Sequence, residues 1–248
     1  MLILGLDTAT PWGSVALCEN EEILCEVSLR AGKGGGEYLL SLLNTLVHTT
    51  GRKLSEIELI AVGTGPGSYT GIRVGLAAVK GLAQGLQIPV AGISTLEIMA
   101  ANTGFISQWV ASVIDARRGE VYAAIYQMIA SSFTIVLEPQ IILVNELADR
   151  LGALPAVIIC GDGSKNYQPI WAPHSNIQIA PKHWDRPLGS WAAILAYQKK
   201  DLHPDPTVNL LKPSYLRRVE AEIRLEEKLH ASQNATDASR GSGGSTGN

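Results

Sequence analysis

The chain opens with three short apolar runs, Leu2 to Leu6, Ser14 to Cys18 and Ile23 to Leu29, each bounded by polar or glycine-bearing breaks, and this patterning predicts three strands. Glu19-Asn20-Glu21-Glu22 is short enough for a hairpin, and residues 7–13 form a polar turn with Pro11 and Gly13, so the strands are expected to run antiparallel. Lys33-Gly34-Gly35-Gly36 then gives a flexible entry to a helix from about Glu37 to Thr50, stopped by Gly51. Its apolar positions leave little polar face. Leu39, Leu43, Leu46 and Val47 form one stripe, and Tyr38, Leu40 and Leu42 lie beside it, which implies two buried sides.

Leu59 to Val62 is a buried-strand pattern that empties into Gly63-Thr64-Gly65-Pro66-Gly67, and Ser68 to Leu86 follows as a helix with Ser68 or Thr70 available as its cap. Two readings of this loop stand. It is either an anion cradle at a helix N-terminus or a tight strand-to-helix connection, and it is not a Walker A loop, because no Gly-Lys-Ser/Thr closes it. Along the helix, Gly71, Gly75, Ala78, Gly81 and Gly85 fall on one face within about 120° of arc. Arg73, Lys80, Gln84 and Gln87 take the other side. A face cut so low admits a closely packed neighbour, either the protein's own sheet or a helix of another chain.

After a strand at Val90 to Ile93, the second half repeats the opening. Trp109 to Ile114 is a strand ending in Asp115; Arg117-Arg118-Gly119 turns the chain, and Val121 to Gln127 returns. Phe133 to Leu137 supplies a third strand, Asn145 to Leu151 a helix capped by Asn145, and Val157 to Cys160 a strand that empties into Gly161-Asp162-Gly163-Ser164 and a helix. Two lobes on one plan, with mixed sheets and covering helices, predict an α/β duplicated actin-like (ASKHA) fold. The expected boundaries are 1–105, 106–220 and a tail at 221–248. A nucleotide in the cleft between the lobes would meet Asp7, Thr8, Gly65 and Gly67 on one side and Asp115, Gly161 and Gly163 on the other. Asp7 and Asp115 either hold a magnesium nucleotide through water or cap their own turns, and the capping role is the preferred reading.

At 248 residues and 46% hydrophobic composition the chain buries a sizeable core, and a net charge of −3 argues against general polyanion binding, so any RNA contact needs a local patch or a basic partner. Cys18, Cys25 and Cys160 sit in strand-like runs without Cys-x-x-Cys spacing, as expected of buried thiols in a reducing compartment. With no signal-peptide pattern and no eighteen-residue apolar run, a soluble cytoplasmic protein that does not engage a membrane is expected. None of the five histidines are four apart, so no metal site and no catalytic residue are assigned. Residues 220–229 read as a short charged helix, and 231–248, rich in Ser, Gly, Asn and Thr, as a disordered tail.

The runs Leu4-Gly5-Leu6-Asp7-Thr8-Ala9-Thr10, Gly63 to Gly75 and Ile114-Asp115-Ala116-Arg117-Arg118-Gly119-Glu120-Val121-Tyr122 closely resemble the YeaZ/TsaB family over most of residues 1–220. The resemblance implies an actin-like fold and a bacterial protein needed for threonylcarbamoyl modification of the adenosine next to the anticodon in tRNAs reading ANN codons. It implies a non-catalytic subunit that dimerises with a catalytic paralogue, TsaD, is joined by the ATPase TsaE, meets tRNA through the complex, and forms a homodimer when alone. It needs no cofactor of its own, with ATP or ADP and magnesium acting at the level of the complex. The interface is expected on Leu39, Leu43, Leu46, Val47, Gly71, Gly75, Ala78 and Leu82. Lys212-Pro213-Ser214-Tyr215-Leu216-Arg217-Arg218 resembles the family's C-terminal Pro-x-Tyr-x-Arg stretch. Family members often carry a histidine just before the first helix, where this chain has residues 33–37. Competing readings are a stand-alone actin-like ATPase or small-molecule kinase and, disfavoured by the missing metal spacing, a metallopeptidase.

Overall fold

The computed structural model describes residues 1–30, 38–104, 109–129, 132–199 and 211–217. The glycine-rich entry at 33–36, Glu37, and the helix and tail expected beyond 219 lie outside the described residues. Residues 1–216 form one compact unit.

β1 (Leu2–Asp7), β2 (Trp12–Glu19) and β3 (Glu22–Arg30) form an antiparallel meander, as the short connections required. α1 (Leu39–Thr50) leads to β4 (Leu59–Gly63), which lies parallel to β1; α2 (Tyr69–Leu86) leads to β5 (Val90–Ile93), parallel to β4. The sheet order is β3-β2-β1-β4-β5. α3 (Thr95–Ala101) precedes the second sheet, in which β6 (Trp109–Arg117), β7 (Glu120–Ile129) and β8 (Ser132–Leu143) form the antiparallel meander. α4 (Val144–Gly152) leads to β9 (Val157–Cys160), parallel to β6, and α5 (Asp162–Asn166) and α6 (Gln168–Trp171) lead to β10 (Ile177–Ile179), parallel to β9. The order β8-β7-β6-β9-β10 is the first sheet repeated strand for strand.

Each sheet is covered on both faces. Alternation along β1 sends Leu4 and Leu6 toward α1 and α2, where they meet Leu39, Leu42, Leu46, Ile72, Leu76 and Val79. Ile3 points the other way, onto Ala192, Ala193 and Leu195 of α7 (Gly189–Gln198). A side chain at Gly5 would run into the Gly189 carbonyl, so glycine and alanine set how closely α7 lies on β1. In the second half, Leu147, Leu151 and Trp171 cover one face of the sheet, and α3 covers the other with Leu96, Met99 and Ala100. α7 thus belongs by packing to the first sheet although it falls within the second half of the chain.

Several elements differ from expectation for local reasons. Toward its sheet α1 buries Leu39, Leu42 and Leu46, leaving Leu43 and Val47 half-buried and Leu40 69% exposed, so the stripe is rotated from the expected one. β8 runs on through Pro139, which an edge strand tolerates because its missing N–H is not needed by a neighbour. Asn145 lies inside α4 rather than at its cap, and no side chain caps that helix. For α2 the expectation holds: Ser68 Oγ accepts the Gly71 N–H at 3.2 Å. Cys18 and Cys160 are buried and Cys25 half-buried, all as free thiols.

Candidate functional site

β1 delivers Asp7 to the end of the first sheet, where its carboxylate is fully enclosed. Oδ1 accepts the Ala9 N–H at 2.8 Å and Oδ2 the Thr95 hydroxyl at 2.7 Å. The carboxylate fits there because β4 has glycine opposite it: a Cβ on Gly63 would fall on the Asp7 side chain. Burial pushes the Asp7 pKa up to about 6, against the opposing pull of Thr95 and Ala9. Thr8, also buried, donates its hydroxyl to the Gly71 carbonyl at 2.7 Å.

The glycine loop is spent on the chain itself. Thr64 N–H goes to Ile93 O at 2.9 Å, Gly65 N–H to Thr95 Oγ1 at 3.2 Å, and Ser68 N–H to Ala9 O at 2.7 Å. Gly65 sits at φ 101°, joined to Pro66 by a cis peptide, and Gly67 at φ 154° lies against the Ala9 carbonyl. The N–H groups of Thr64, Gly65 and Ser68 point inward to neighbouring strands and turns, which is the arrangement of a tight strand-to-helix connection.

The second lobe has the same construction. Asp115 Oδ1 accepts Arg117 N–H at 2.8 Å and the Tyr167 hydroxyl at 3.0 Å, and Oδ2 accepts Asn166 Nδ2 at 3.1 Å. Gly161, at φ 102°, donates its N–H to Asp185 Oδ1 at 2.9 Å, and both Gly161 and Gly163 lie against Val113. Asp185 also holds Lys165 Nζ at 2.8 Å. A pocket of about 170 Å³ between the lobes is lined by Thr10, Trp12, Arg30, Asp162, Lys182 and Asp185 among others. None of the seven residues expected to hold a nucleotide lines it. Thr10, Ile114 and Asp162 are close sequence neighbours of the expected residues, whereas Arg30, Met99, Lys182 and Asp185 come from elsewhere in the chain and carried no sequence signal.

The residues expected at a partner interface divide into three sets. Leu39 and Leu46 are buried beneath their own sheet. Gly71 and Gly75 face Thr8: a Cβ on Gly71 would strike its carbonyl and one on Gly75 its hydroxyl. Leu43, Val47, Ala78 and Leu82 are half-buried, and Leu43, Ala78 and Leu82 pack against the first core. Beyond them, Gly81 and Gly85 are exposed, with nothing among the described residues within 4 Å of an added Cβ. Leu40 stands out from α1, exposed.

Among the described residues no three His, Cys, Asp or Glu side chains converge as a metal site, and no helix is long and apolar enough to cross a membrane. Burial pushes the Cys18 and Cys160 thiols up to about 12, so neither is a nucleophile at neutral pH.

Two sheets of identical order, each with a strand-end aspartate turning into the next strand, make this a duplicated actin-like protein. Residues 31–166 match the TsaD family, tRNA N6-adenosine threonylcarbamoyltransferase. The tRNA threonylcarbamoyladenosine biosynthesis protein TsaB of Bacillus subtilis (strain 168) is 31% identical over 234 residues, covering 90% of this chain and 97% of that protein. TsaB of Escherichia coli (strain K12) is 38% identical over 134 residues, 51% of this chain and 55% of that one. A solved structure of YeaZ from Pseudomonas aeruginosa superimposes with a TM-score of 0.74 at 25% identity, covering 87% of this chain and 99% of that one. The chain belongs to the TsaB (YeaZ) family.

Proposed function

We propose that this protein is a non-catalytic scaffold subunit of the bacterial system that places a threonylcarbamoyl group on the adenosine next to the anticodon in tRNAs reading ANN codons. It docks onto the catalytic paralogue TsaD through α1 and α2, and the ATPase TsaE joins the pair. The observation that carries this is the outer crest of α2. Gly81 and Gly85 lie in the middle and last turns of an exposed helix, where each costs up to about 1 kcal/mol relative to alanine, and nothing within the described chain uses the room they leave. Leu43 and Val47 of α1 and Ala78 and Leu82 of α2 are only half-covered. A helix of a second subunit laid along this crest uses both features. The same surface, paired with its own copy about a two-fold axis, is the proposed homodimer contact when the partner is absent.

The subunit works without a cofactor of its own, and nucleotide with magnesium acts at the level of the complex. Support comes from the strand-end carboxylates: Asp7 is enclosed and doubly hydrogen-bonded, and Asp115 is held by three donors, so both serve their turns. The stand-alone ATPase or kinase reading needs such groups turned toward a substrate.

The test pairs modification with association. The isolated protein transfers no threonylcarbamoyl group to tRNA, with or without divalent metal, whereas addition of TsaD, TsaE and threonylcarbamoyl-AMP gives modified tRNA. Gly81→Trp weakens TsaD affinity some five- to hundredfold, as overpacking of a close contact by about 1–3 kcal/mol implies, and leaves the fold of the isolated chain intact. Unchanged TsaD affinity in this variant refutes the docking face.

A further inference from the structure

The described C-terminal segment, residues 211–217, is tied to the glycine loop and to the start of α2. Leu211 enters the first core at 6% exposure, and Ser214 N–H donates to Thr64 O at 2.8 Å. This anchoring places Tyr215 against Tyr69, with ring centroids 5.0 Å apart and planes inclined by 34°. Arg73, one turn further along α2, closes the group: its guanidinium carbon lies 4.0 Å from the Tyr69 centroid, and its Nε donates to the Tyr215 hydroxyl at 2.9 Å. The result is a guanidinium held by two aromatic rings at the protein surface.

Charge is segregated around this group. The chain carries a net charge of −3, yet no Asp or Glu occurs between Glu58 and Glu97, nor anywhere in 211–216, nor in α1. Among the described residues, the charges that these segments contribute are therefore all cationic. Lys80 lies on the same side of α2 as Arg73, about 10 Å further along. Lys212 stands exposed on the segment that carries Tyr215. Cations on carboxylate-free segments, set about a pair of tyrosines, match phosphates flanking an unpaired base, because the cations meet the backbone and the aromatic group offers stacking area. Holding Arg73 in place beforehand lowers the ordering cost of binding.

We propose that Tyr69, Arg73, Lys80, Lys212 and Tyr215 form a direct RNA-contact surface, which a tRNA engages while the partner is docked on the other flank of α2. This rests on the tRNA-modification reading above and adds a contact made by this subunit itself. The flanks are distinct: Arg73 and Lys80 lie about 160° around the helix from Ala78 and Leu82.

The experiment titrates a fluorescently labelled, unmodified tRNA transcript with the complex of full-length protein and TsaD across a salt series. The double variant Lys80→Glu/Lys212→Glu is expected to bind about tenfold or more weakly, and the slope of log K against log[salt] to become shallower by about 1 to 2. Arg73→Lys, which keeps the charge and loses the planar group, falls between the two. TsaD affinity, measured by calorimetry, stays unchanged. Superimposable RNA titrations overturn the proposal, as does retained RNA affinity with lost TsaD affinity, which would assign the surface to an acidic protein. Threonylcarbamoyl transfer by the wild-type complex is scored separately: its absence, with the RNA effect intact, refutes the functional reading and leaves the RNA surface standing.

Discussion

Asp7 and Asp115 make the same hydrogen bond: in each, Oδ1 accepts the N–H of the residue two positions further on, Ala9 at 2.8 Å and Arg117 at 2.8 Å. Asp7 ends β1 and Asp115 sits two residues before the end of β6, at a register shift; each strand is the central one of a five-stranded sheet and precedes the turn into the antiparallel strand that follows. Their surroundings have diverged. Asp7 is sealed behind Gly63 and Thr95, whereas Asp115 is a half-buried residue that gathers Tyr167, Asn166 and Arg117. The turn geometry is thus common to both lobes, while the chemistry around each carboxylate is private to its own.

Asp7→Asn should flatten part of the pH dependence of stability. The folded pKa of about 6 lies above the ordinary value of 3.8, so the folded state binds this proton more tightly than the unfolded chain. That contribution is full below the unfolded value and is lost as pH rises through about 6. Stability of the wild type relative to the variant should therefore fall between about pH 4 and 6, by at most about 3 kcal/mol, and stay level above. Denaturant titrations at several pH values measure it. Asparagine retains an acceptor for the turn, so tRNA modification by the full set of partners should survive in both Asp7→Asn and Asp115→Asn.

Gly63→Ala should destabilise the chain by about 2–3 kcal/mol, because the added methyl meets the Asp7 carboxylate in a site without room to yield. Asp7→Ala removes the obstacle. In the double variant the cost of Gly63→Ala should shrink by more than about 1 kcal/mol, and simple additivity of the two melting shifts would contradict the collision.

Glycines of α2 should respond oppositely along the helix. Gly75→Leu strikes Thr8 and should lower the melting temperature of the isolated chain, whereas Gly81→Ala, with open space around it, should raise stability by about 0.5–1 kcal/mol. Equal effects at both positions would mean that the helix is not seated as described.

Glu26 of β3 accepts Ser14 Oγ at 2.9 Å, Ser190 Oγ at 2.8 Å and Ser190 N–H at 3.3 Å, tying the N-terminus of α7 to the first sheet. Glu26→Ala leaves the buried Ser14 and Ser190 groups without this acceptor and should cost about 2–3 kcal/mol. Glu26→Gln, which keeps one oxygen, should cost less. Hydrogen exchange localised to α7 reads the loss directly.

Much of the architecture was legible because it is written in contrasts. The run Leu59 to Val62, the breaker Gly65-Pro66-Gly67 and the cap Ser68 give β4 and α2 nearly to the residue, and the repeat of Asp7 in Asp115 gives the duplication. α3 and α7 lacked contrast. Every residue of α3 is buried, and α7 buries seven of its ten on a sheet and beneath the second half of the chain, so neither has a polar face to mark a helical period. β10, of three residues, is held by pairing to β9 rather than by its own pattern. At the site, the aspartate turns and glycine loop were visible, but not where the glycines face. Gly75 and Gly81 look alike in sequence, and only the position of Thr8, far away along the chain, separates a filled contact from an open one.

α7 also fixes an order of events during synthesis. Gly189 N–H bonds to Ser14 Oγ across 175 residues, and the cluster of Ile3, Ala16, Cys18, Leu59 and Ala61 with Ile98 and Ala101 of α3 is completed only once α7 has been made. A nascent chain that has just completed β5 therefore emerges from the ribosome with five strands and one uncovered apolar surface. Such a surface waits through most of translation, during which it is open to chaperones and to self-association. The amino-terminal half expressed alone is thus a sticky fragment rather than a small domain.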